Sequence, residues 1–411
     1  MDKKFYQLSP QGRIRAMDLS EDEQAEFFLD QSADNALLIE NYVTDFRVPL
    51  GIVRNFLLDG KEYQLPLATE EPSVVAAANN GNRMLAKQGG IKAIVPEQAY
   101  TTGQLLFAGV DFAELEAFVA EHEEEIFAKA KAARPSIYRR GGGLLKVSAR
   151  DLRVGTASVD FAIDTQAAMG ANIVNTILEA EKEVFEPFAK EIVTAILSNS
   201  GLGQLVTVTG EVAYSDLGSR KKAHKMAKLS AIGQLDPERA VTENKGIYNG
   251  VAGVALATGN DWRALEAAGH AYASSSGQYR SLSSWVTDDD AKVLRGTLTL
   301  PVNVGTVGGS ISAMPQARRS LQLLKQPSVD ELRALIAGVG LAQNLAALKA
   351  LAGEGIQRGH MRMQYRALAV SVGAREDELA AMVKGLKKAE QVDSELAAKL
   401  LKEIRINAEE D

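Results

Sequence analysis

The sequence predicts an α+β protein in which a small ferredoxin-like unit is inserted into a larger, mostly helical part. Between residues 103 and 214 the apolar pattern changes from segment to segment in the order strand–helix–strand–strand–helix–strand. This is the element order of a ferredoxin-like unit. The rest of the 411-residue chain is rich in alanine and glycine, with helical periodicity and short strands. A chain of this length is expected to form about two or three domains.

The N-terminal part carries two local signals. Ser20 and Glu23 predict a capping box at the start of a largely helical stretch over residues 21–46. Asp59-Gly60 lies between two short apolar runs and predicts the turn of a β-hairpin, because both residues tolerate the left-handed conformation that such a turn requires.

Periodicity and two punctuating residues place the elements of the inserted unit. A strand over 105–110 leads to Asp111, which caps a long helix that must end before Pro135, since proline disfavours helix at the residue before it. The elements that follow are predicted as strands over 144–149 and 158–163, a helix over 170–197 and a strand over 205–212. Beyond this unit, Ser328 and Glu331 predict a second capping box and a long helix.

Composition excludes several kinds of function. The 46 basic and 53 acidic side chains leave a formal charge of −7, whereas a dedicated nucleic-acid binder needs a basic surface. The absence of cysteine excludes disulfides, zinc thiolates, iron–sulfur clusters and a catalytic thiol. The 4 histidines show no metal-ligand spacing, so no metal site is expected.

The sequence also predicts a cytoplasmic protein. The N-terminus has no apolar leader segment. The most apolar uncharged run, residues 334–348, is shorter than the roughly 18 residues that a membrane span needs. We therefore expect neither a membrane nor a nucleic acid among the partners.

Two glycine-containing segments are candidates for binding a phosphate group. Neither a G-x-G-x-x-G after a strand nor a P-loop is present. The segment 168–172 opens a predicted helix, whose free N–H groups and dipole favour an anion. The segment 305–310 has a bare backbone that a ligand can approach closely. From composition alone, a helix start and a glycine turn explain the two segments more simply.

Four polar residues stand in segments that suit proton transfer or charge stabilisation. Pro72 fits the first position of a helix, which places Glu71 at or beside the N-cap, as a capping carboxylate or as a general acid/base. Lys245 lies between asparagine and glycine, where a solvated surface lysine is the simpler interpretation. Asp261 is a candidate helix cap, and His360 directly follows a glycine.

Each of these segments is weak alone, but together they resemble the hydroxymethylglutaryl-coenzyme A reductase family, closest to its soluble bacterial class without a membrane anchor. The resemblance covers residues 36–365, including LIENYVTDFRVPLG at 38–51. The segments that carry it are EEPSVVAAA (70–78), TQAAMGAN (165–172), ENKGIYNG (243–250), ATGNDWRA (257–264), GTVGGS (305–310), GLAQN (340–344) and EGIQRGHM (354–361). Seven segments in the same order make the resemblance specific.

The resemblance implies a domain organisation. Residues 1–102 and 215–355 would form a large domain that binds the substrate and coenzyme A. Residues 103–214 would form a small NAD(P)-binding ferredoxin-like domain, which agrees with the unit predicted from periodicity. Residues 356–411 would form a mobile C-terminal helical flap that carries His360. The family's site lies across a dimer interface, so a homodimer or a multiple of it is expected.

The resemblance also implies a reaction. The family reduces (S)-hydroxymethylglutaryl-coenzyme A to (R)-mevalonate and free coenzyme A with two NAD(P)H, through a mevaldyl-coenzyme A hemithioacetal and mevaldehyde. By matched segment, the catalytic residues are Glu71, Lys245, Asp261 and His360. The Lys245 ammonium would stabilise the oxyanion, with Asp261 beside it. His360 would protonate the departing thiolate, and Glu71, kept protonated by burial, would protonate the alkoxide.

The matched segments supply binding residues as well. The acyl part of the substrate is expected to contact Ser73, Arg239 and Asn249, with Asn199 and Gln343 as further candidates. The dinucleotide is expected to contact Met169, Gly170, Ala171, Asn172, Gly308, Gly309 and Arg134.

The choice of dinucleotide follows from the helix before the glycine triplet. Family members that prefer NADH carry an aspartate near its end, whereas residues 131–140 here contain arginines and no acid. Because arginine suits a 2′-phosphate, NADPH is predicted over NADH. The sequence departs from many relatives at Glu243, where they have histidine, and at Gln166 or Ala167, where they have an acidic residue.

Other interpretations of the sequence stay open. The same enzyme could run oxidatively in mevalonate degradation. A histidine-dependent acyltransferase or a non-catalytic relative that binds acyl-coenzyme A would also need no cysteine. Consumption of reduced nicotinamide that depends on the thioester separates a reductase from both.

Overall fold

The computed structural model describes residues 3–353, 365–389 and 392–409, and these contain both helices and strands, as the sequence predicts. The strands are β1 (Leu50–Leu58), β2 (Lys61–Ala68), β3 (Lys92–Ile94), β4 (Thr101–Ala108), β5 (Gly143–Arg153), β6 (Thr156–Asp164), β7 (Ile192–Leu197), β8 (Leu205–Ala213), β9 (Ser283–Asp288) and β10 (Val293–Pro301). The helices are α1 (Pro10–Arg15), α2 (Glu21–Leu29), α3 (Ala33–Leu38), α4 (Val74–Ala86), α5 (Phe112–Glu121), α6 (Glu123–Ala133), α7 (Pro135–Tyr138), α8 (Ala171–Glu181), α9 (Tyr214–Leu217), α10 (Arg220–Leu235), α11 (Pro237–Ala257), α12 (Trp262–Ala273), α13 (Gly309–Ala313), α14 (Pro315–Leu323), α15 (Val329–Ala352), α16 (Leu379–Leu386) and α17 (Ser394–Glu409).

The local N-terminal signals form the predicted structures. The Ser20 hydroxyl and the Glu23 carboxylate form the reciprocal capping box of α2. The helical prediction over 21–46 is wrong in its second half, because α2 ends at Leu29 and α3 covers only six residues. The hairpin of β1 and β2 turns at Asp59 and Gly60, whose φ angles of 49° and 79° are those of a tight two-residue turn.

The inserted unit is a four-stranded antiparallel sheet with the strand order β5–β6–β4–β7. Along the chain the order is β4, the helices α5 to α7, β5, β6, α8 and β7. With β4 as the first strand, this sheet order is that of a ferredoxin-like fold, so the fold class is confirmed.

One boundary within this unit is wrong. The helix predicted over 170–197 ends at Glu181, and the last six residues of that range are β7, which pairs with β4. Pro187 lies in the intervening turn, and the β-branched residues at 192–194 favour a strand. The predicted strand over 205–212 is β8, which pairs with β10 in the other sheet.

The larger part is built around α15 and the sheet β3–β8–β10–β9. Ser328 and Glu331 form the predicted capping box of α15. This helix is long and apolar enough to cross a membrane, with a mean hydropathy of 1.5 in its most apolar window, yet 78% of that window is buried inside the protein. It packs so closely on α4 that a Cβ on Gly81 would lie 1.9 Å from the Ala342 carbonyl oxygen. Helix α15 is therefore the core helix of this part.

The described residues form separate hydrophobic cores. One lies around α15, and a second fills the space between the inserted sheet and its helices. A third joins the helical residues 365–371 to α16 and α17, through side chains that include Tyr365, Met382 and Leu401. The domain boundaries at 102, 214 and 355 stay predictions.

Candidate active site

A cavity of about 540 Å³ follows one side of α11, and its wall carries both acidic and basic groups. We call it the α11 cavity. Its lining residues include Thr69, Glu70, Glu71, Lys245, Tyr248, Asn249, Leu256, Trp262, Glu266 and His270. The residues of the loop after β2 therefore face those of α11 and α12 across this space.

Lys245 and Glu71 meet in this cavity as an ion pair. The Lys245 Nζ is 2.5 Å from the Glu71 Oε2. Helix α4 begins at Val74, with Ser73 as its N-cap in the left-handed conformation (φ 77°), so Glu71 precedes the helix and is not its cap. The prediction that Pro72 opens this helix is wrong, and the Glu71 carboxylate is free to bind Lys245.

Both side chains of this ion pair are partly exposed to solvent. The Glu71 side chain is 37% exposed and that of Lys245 is 61% exposed.

Within one chain, no ion pair joins Asp261 to Lys245 among the described residues. The Asp261 carboxylate caps α12 by accepting hydrogen bonds from the backbone N–H groups of Arg263 (3.0 Å) and Ala264 (3.1 Å). The Tyr248 hydroxyl donates to the Leu265 carbonyl (3.0 Å), which packs α12 against α11.

Asp261 instead faces a second cavity, of about 370 Å³, which we call the glycine cavity. Its lining residues are Ala168, Met169, Gly170, Ala171, Asn172, Ile173, Gly259, Asn260, Asp261, Val307, Gly308 and Ile311. The two glycine-containing segments of the sequence thus meet in one place. Gly309 opens α13 directly beside them, with open space where a side chain would be.

Backbone geometry builds the glycine cavity. Gly170 is the N-cap of α8 with φ 102°, a conformation that glycine adopts without strain. A Cβ on Gly305 would lie 2.6 Å from the Met169 nitrogen, so the two segments touch through their main chains. A β-bridge between Ala168 and Val307 holds them in register. The free N–H groups of the α8 N-terminus suit an anionic ligand.

The Asn260 side chain holds the segment that contains Gly305 in place, and this role was not predicted from the sequence. Its buried side-chain amide accepts a hydrogen bond from the Gly305 N–H (2.8 Å) and donates one to the Gly305 carbonyl (3.1 Å). The signal was its place between Gly259 and Asp261, since asparagine amides commonly bind backbone in turns.

Arg134 lies beside the first turns of α8. Its Nη2 donates to the Thr176 hydroxyl (2.9 Å) and to the Asn172 carbonyl (3.3 Å). Its Nε is buried without a hydrogen-bond partner among the described residues. The Nη2 contacts place the guanidinium beside the start of α8.

The predicted acyl contacts are spread over the larger part. Asn249 lines the α11 cavity one helical turn after Lys245. Ser73 lies two residues after Glu71, and Arg239 lies on α11 in contact with Glu243. Gln343 is buried in α15, and Asn199 is exposed after β7.

His360 lies outside the described residues, so its prediction is untested. Among the described residues, no cluster of three or more His, Asp or Glu side chains is placed to hold a metal ion.

Two further residues of the α11 cavity were not singled out from the sequence. Glu266 and His270 lie one turn apart on α12, the spacing that puts both on one face. Burial raises the pKa of Glu266. The His270 Nδ1 is 2.7 Å from the Tyr279 hydroxyl, which also accepts a hydrogen bond from the Asn244 amide (3.0 Å). This arrangement orients the imidazole at the wall of the cavity.

Comparison with known proteins gives one consistent result. A family model described as hydroxymethylglutaryl-coenzyme A reductase matches residues 10–365. The 3-hydroxy-3-methylglutaryl-coenzyme A reductase of Archaeoglobus fulgidus is 36% identical, over 98% of this chain and 94% of its own length. The probable enzyme of the same name from Borreliella burgdorferi is 37% identical, over 82% of this chain and 79% of its own.

Solved structures give the same result. A 3-hydroxy-3-methylglutaryl-coenzyme A reductase from Streptococcus pneumoniae is similar with a TM-score of 0.77 and 38% identity, over 97% of this chain and 99% of that one. The class II enzyme of the same organism, bound to NADPH in open conformations, is similar with a TM-score of 0.77 and 39% identity, over 96% and 99% of the two chains.

Proposed function

This chain belongs to the hydroxymethylglutaryl-coenzyme A reductase family, and we propose from that premise a role for the residues of its two cavities. The reaction is the four-electron reduction of hydroxymethylglutaryl-coenzyme A to mevalonate and free coenzyme A, with NADPH or NADH as the reductant. The contact between Lys245 and Glu71 inside a cavity carries the proposal, because the reaction needs a charge stabiliser and a proton source at one carbon.

Lys245 and Glu71 act on the reacting carbonyl. Hydride attack on the thioester builds negative charge on its oxygen, which a fixed ammonium in the α11 cavity stabilises. When the aldehyde is reduced in the second step, a protonated Glu71 gives the alkoxide its proton. Asn249 and Ser73 flank the pair and bind the acyl group, and Arg239 binds it further along α11. Gln343 and Asn199 remain weaker candidates for the same group.

His360 is proposed as the acid that protonates the coenzyme A thiolate. A histidine can donate a proton near neutral pH, since its reference pKa is about 6.5. The segment EGIQRGHM, which carries His360, supports this role through its match to the family.

The glycine cavity is proposed as the dinucleotide site. NAD(P)H supplies the hydrides when bound. Met169, Gly170, Ala171 and Asn172 would hold its phosphates at the start of α8, and Gly308 and Gly309 leave room for its approach. The Arg134 guanidinium beside the start of α8 supports NADPH over NADH, because arginine suits a 2′-phosphate.

Replacing this arginine tests the preference. Arg134→Ala is expected to raise the KM for NADPH about tenfold while the KM for NADH stays within about twofold, because only NADPH carries the 2′-phosphate. Arg139→Ala, which removes an exposed arginine of the same segment, is the matched control. Equal effects on both dinucleotides would contradict the NADPH preference.

We further propose that the active form is a homodimer whose partner supplies Asp261. Within one chain Asp261 faces the glycine cavity, so a second copy is needed to bring an aspartate to Lys245. Lys245→Ala and Asp261→Ala chains, each inactive, are co-refolded. If the site combines two chains, half of the dimers are mixed and carry one intact site, which restores about a quarter of the wild-type activity. No recovery, or a fully active monomer, would contradict the shared site.

The decisive experiment follows the absorbance of reduced nicotinamide in both directions. The chain is given hydroxymethylglutaryl-coenzyme A with NADPH or NADH, and then mevalonate and coenzyme A with the oxidised dinucleotides. Loss of absorbance that depends on the thioester supports reduction. A rate that is measurable only in reverse would favour mevalonate oxidation as its role. No rate in either direction would leave acyl-coenzyme A binding as the function.

A further inference from the structure

Glu243 is a carboxylate enclosed in the protein, on the helix that carries Lys245. It lies on α11, one turn after Arg239 and two residues before Lys245, and is 3% exposed. Its Oε1 accepts hydrogen bonds from the Ser283 hydroxyl (3.2 Å) and the Asn344 amide (3.2 Å). Its Oε2 has no hydrogen-bond partner among the described residues and lies 3.4 Å from the Arg239 Nη2.

The charge of Glu243 needs a reason. Burying a carboxylate costs free energy that neutral donors offset only in part, and a neutral residue of similar shape commonly stabilises a protein better at such a place. The side chains that face Glu243 from β9 and α15 are the uncharged Ser283 and Asn344, and Ser281 lies just before β9. Arg239 is the charged group that faces it. An ionised Glu243 therefore acts on the Arg239 guanidinium.

Arg239 is held but not saturated. Its side chain is 21% exposed, and its Nε is buried without a partner among the described residues. The 3.4 Å contact with Glu243 is longer than the roughly 2.7–2.9 Å of a full charge-assisted hydrogen bond. Since a guanidinium carries five N–H donors in a planar fork, several of them stay available for a second carboxylate.

The substrate of the proposed function offers such a carboxylate. The hydroxymethylglutaryl group ends in a free carboxylate at the opposite end from its thioester. Lys245 is six residues beyond Arg239, or about 9 Å along the axis of α11. The two residues lie about 120° apart around the helix, so their long side chains must converge for one five-carbon acyl group to reach both.

We propose that Glu243 is a positioning residue that holds the Arg239 guanidinium from the protein side, so that the free part of the fork receives the terminal carboxylate of the acyl group. This inference rests on the proposed function, in which Arg239 contacts the acyl group. Glu243 itself touches neither substrate nor dinucleotide. It fixes specificity for an acyl group that ends in a carboxylate.

The first test is Glu243→Gln, which keeps the shape of the side chain and removes its charge. The KM for hydroxymethylglutaryl-coenzyme A is expected to rise about tenfold while kcat and the KM for NADPH stay within about twofold, because the ion pair at Lys245 is untouched. Glu181→Gln is the matched control, since it makes the same substitution at another fully buried glutamate, in the inserted unit. Equal KM values in the two variants would overturn the inference.

A pH profile separates positioning from a merely structural role. Burial raises the pKa of Glu243, so protonation begins above the usual range of a glutamate. In the wild type, the KM for the thioester should rise as the pH falls through this pKa, because a neutral Glu243 no longer holds Arg239. In Glu243→Gln, this part of the profile should be flat. An unchanged profile would overturn the inference.

A double-mutant cycle with Arg239→Ala shows whether Glu243 acts through the arginine. In that background, Glu243→Gln should not raise the KM further, and a full additional rise would overturn the inference. If Glu243→Gln does not fold, Ser283→Ala replaces it. A raised KM at constant kcat then supports the inference, and an unchanged KM overturns it. A wild-type chain that does not reduce the thioester would instead refute the proposed function.

Discussion

The two cavities of this chain are built by opposite means. The α11 cavity depends on charged side chains that come together from distant parts of the sequence, since Glu71 and Lys245 are 174 residues apart. The glycine cavity depends on the main chain, where a helix N-terminus and a glycine loop meet with almost no side chain between them. The α11 cavity provides charged side chains for the reaction. The glycine cavity provides a space with an electrostatic potential that favours an anion.

This difference predicts how each cavity fails. A cavity made of functional groups fails when a group is removed, while its shape persists. A cavity made of close backbone approach fails when atoms are added, while its chemistry is unaffected. Substitutions in one cavity should therefore leave the binding constant of the other unchanged.

The largest effect is expected from Lys245→Ala. Removing the ammonium that stabilises the oxyanion should lower kcat by about a thousandfold, the scale of losing a main electrostatic stabiliser. Binding of the thioester, measured by calorimetry, should persist. Lys225→Ala removes an exposed lysine of α10 and serves as the control. A kcat within about tenfold of the wild type would contradict the role of Lys245.

His360→Gln is expected to have the next largest effect, and a selective one. The thioester step needs an acid for the thiolate, whereas reduction of added mevaldehyde does not. The rate with the thioester should therefore fall about a hundredfold, and the rate with mevaldehyde should fall much less. Equal losses on the two substrates would refute the assignment of His360 as the thiolate's acid.

Gly305→Ala tests the glycine cavity, which is built by close approach of backbone segments. The added methyl would lie 2.6 Å from the Met169 nitrogen and must push the two segments apart. The KM for the dinucleotide should rise about tenfold or more, while that for hydroxymethylglutaryl-coenzyme A stays constant. A parallel rise in both constants would contradict the independence of the two cavities.

Local and long-range features differed in how well the sequence predicted them. The capping boxes at Ser20 and Ser328 formed as predicted, because their partners lie three residues away. The helix expected over 170–197 was wrong beyond Glu181, where the range ends in β7, because β7 is fixed by pairing with β4, about ninety residues earlier. A prediction made from a short stretch of sequence does not take this distant partner strand into account.

The site shows the same limit. A matched segment gives the identity of a residue but not its distance from another, so the position of Asp261 at the glycine cavity within one chain was not predicted. Asn260, Glu266 and His270 carry no motif of their own and became visible only through their contacts. The meeting of the two glycine segments was likewise a result of the fold, since neither segment alone distinguishes a phosphate cradle from a turn.

The smallest effect concerns the stability of the unit that carries the glycine cavity. Glu181 ends α8, and burial raises its pKa to about 8 from an ordinary value of 4.5. Its two oxygens have no hydrogen-bond partner among the described residues. Between these two values the folded chain keeps a proton that the unfolded chain has lost. The free energy of unfolding should therefore fall as the pH rises from about 5 to 8, by at most about 1.4 kcal/mol per unit.

Glu181→Gln should remove this slope without changing kcat or either KM, because residue 181 contacts neither cavity. Hydrogen exchange of the amides in β4–β7, measured at several pH values, reads the stability of the inserted unit directly. The wild type should lose protection with rising pH relative to the variant. Identical slopes would mean that the Glu181 carboxyl is not the source of the pH dependence. A changed KM for the dinucleotide alone would instead show that Glu181, at the C-terminal end of α8, affects the glycine cavity but not the α11 cavity.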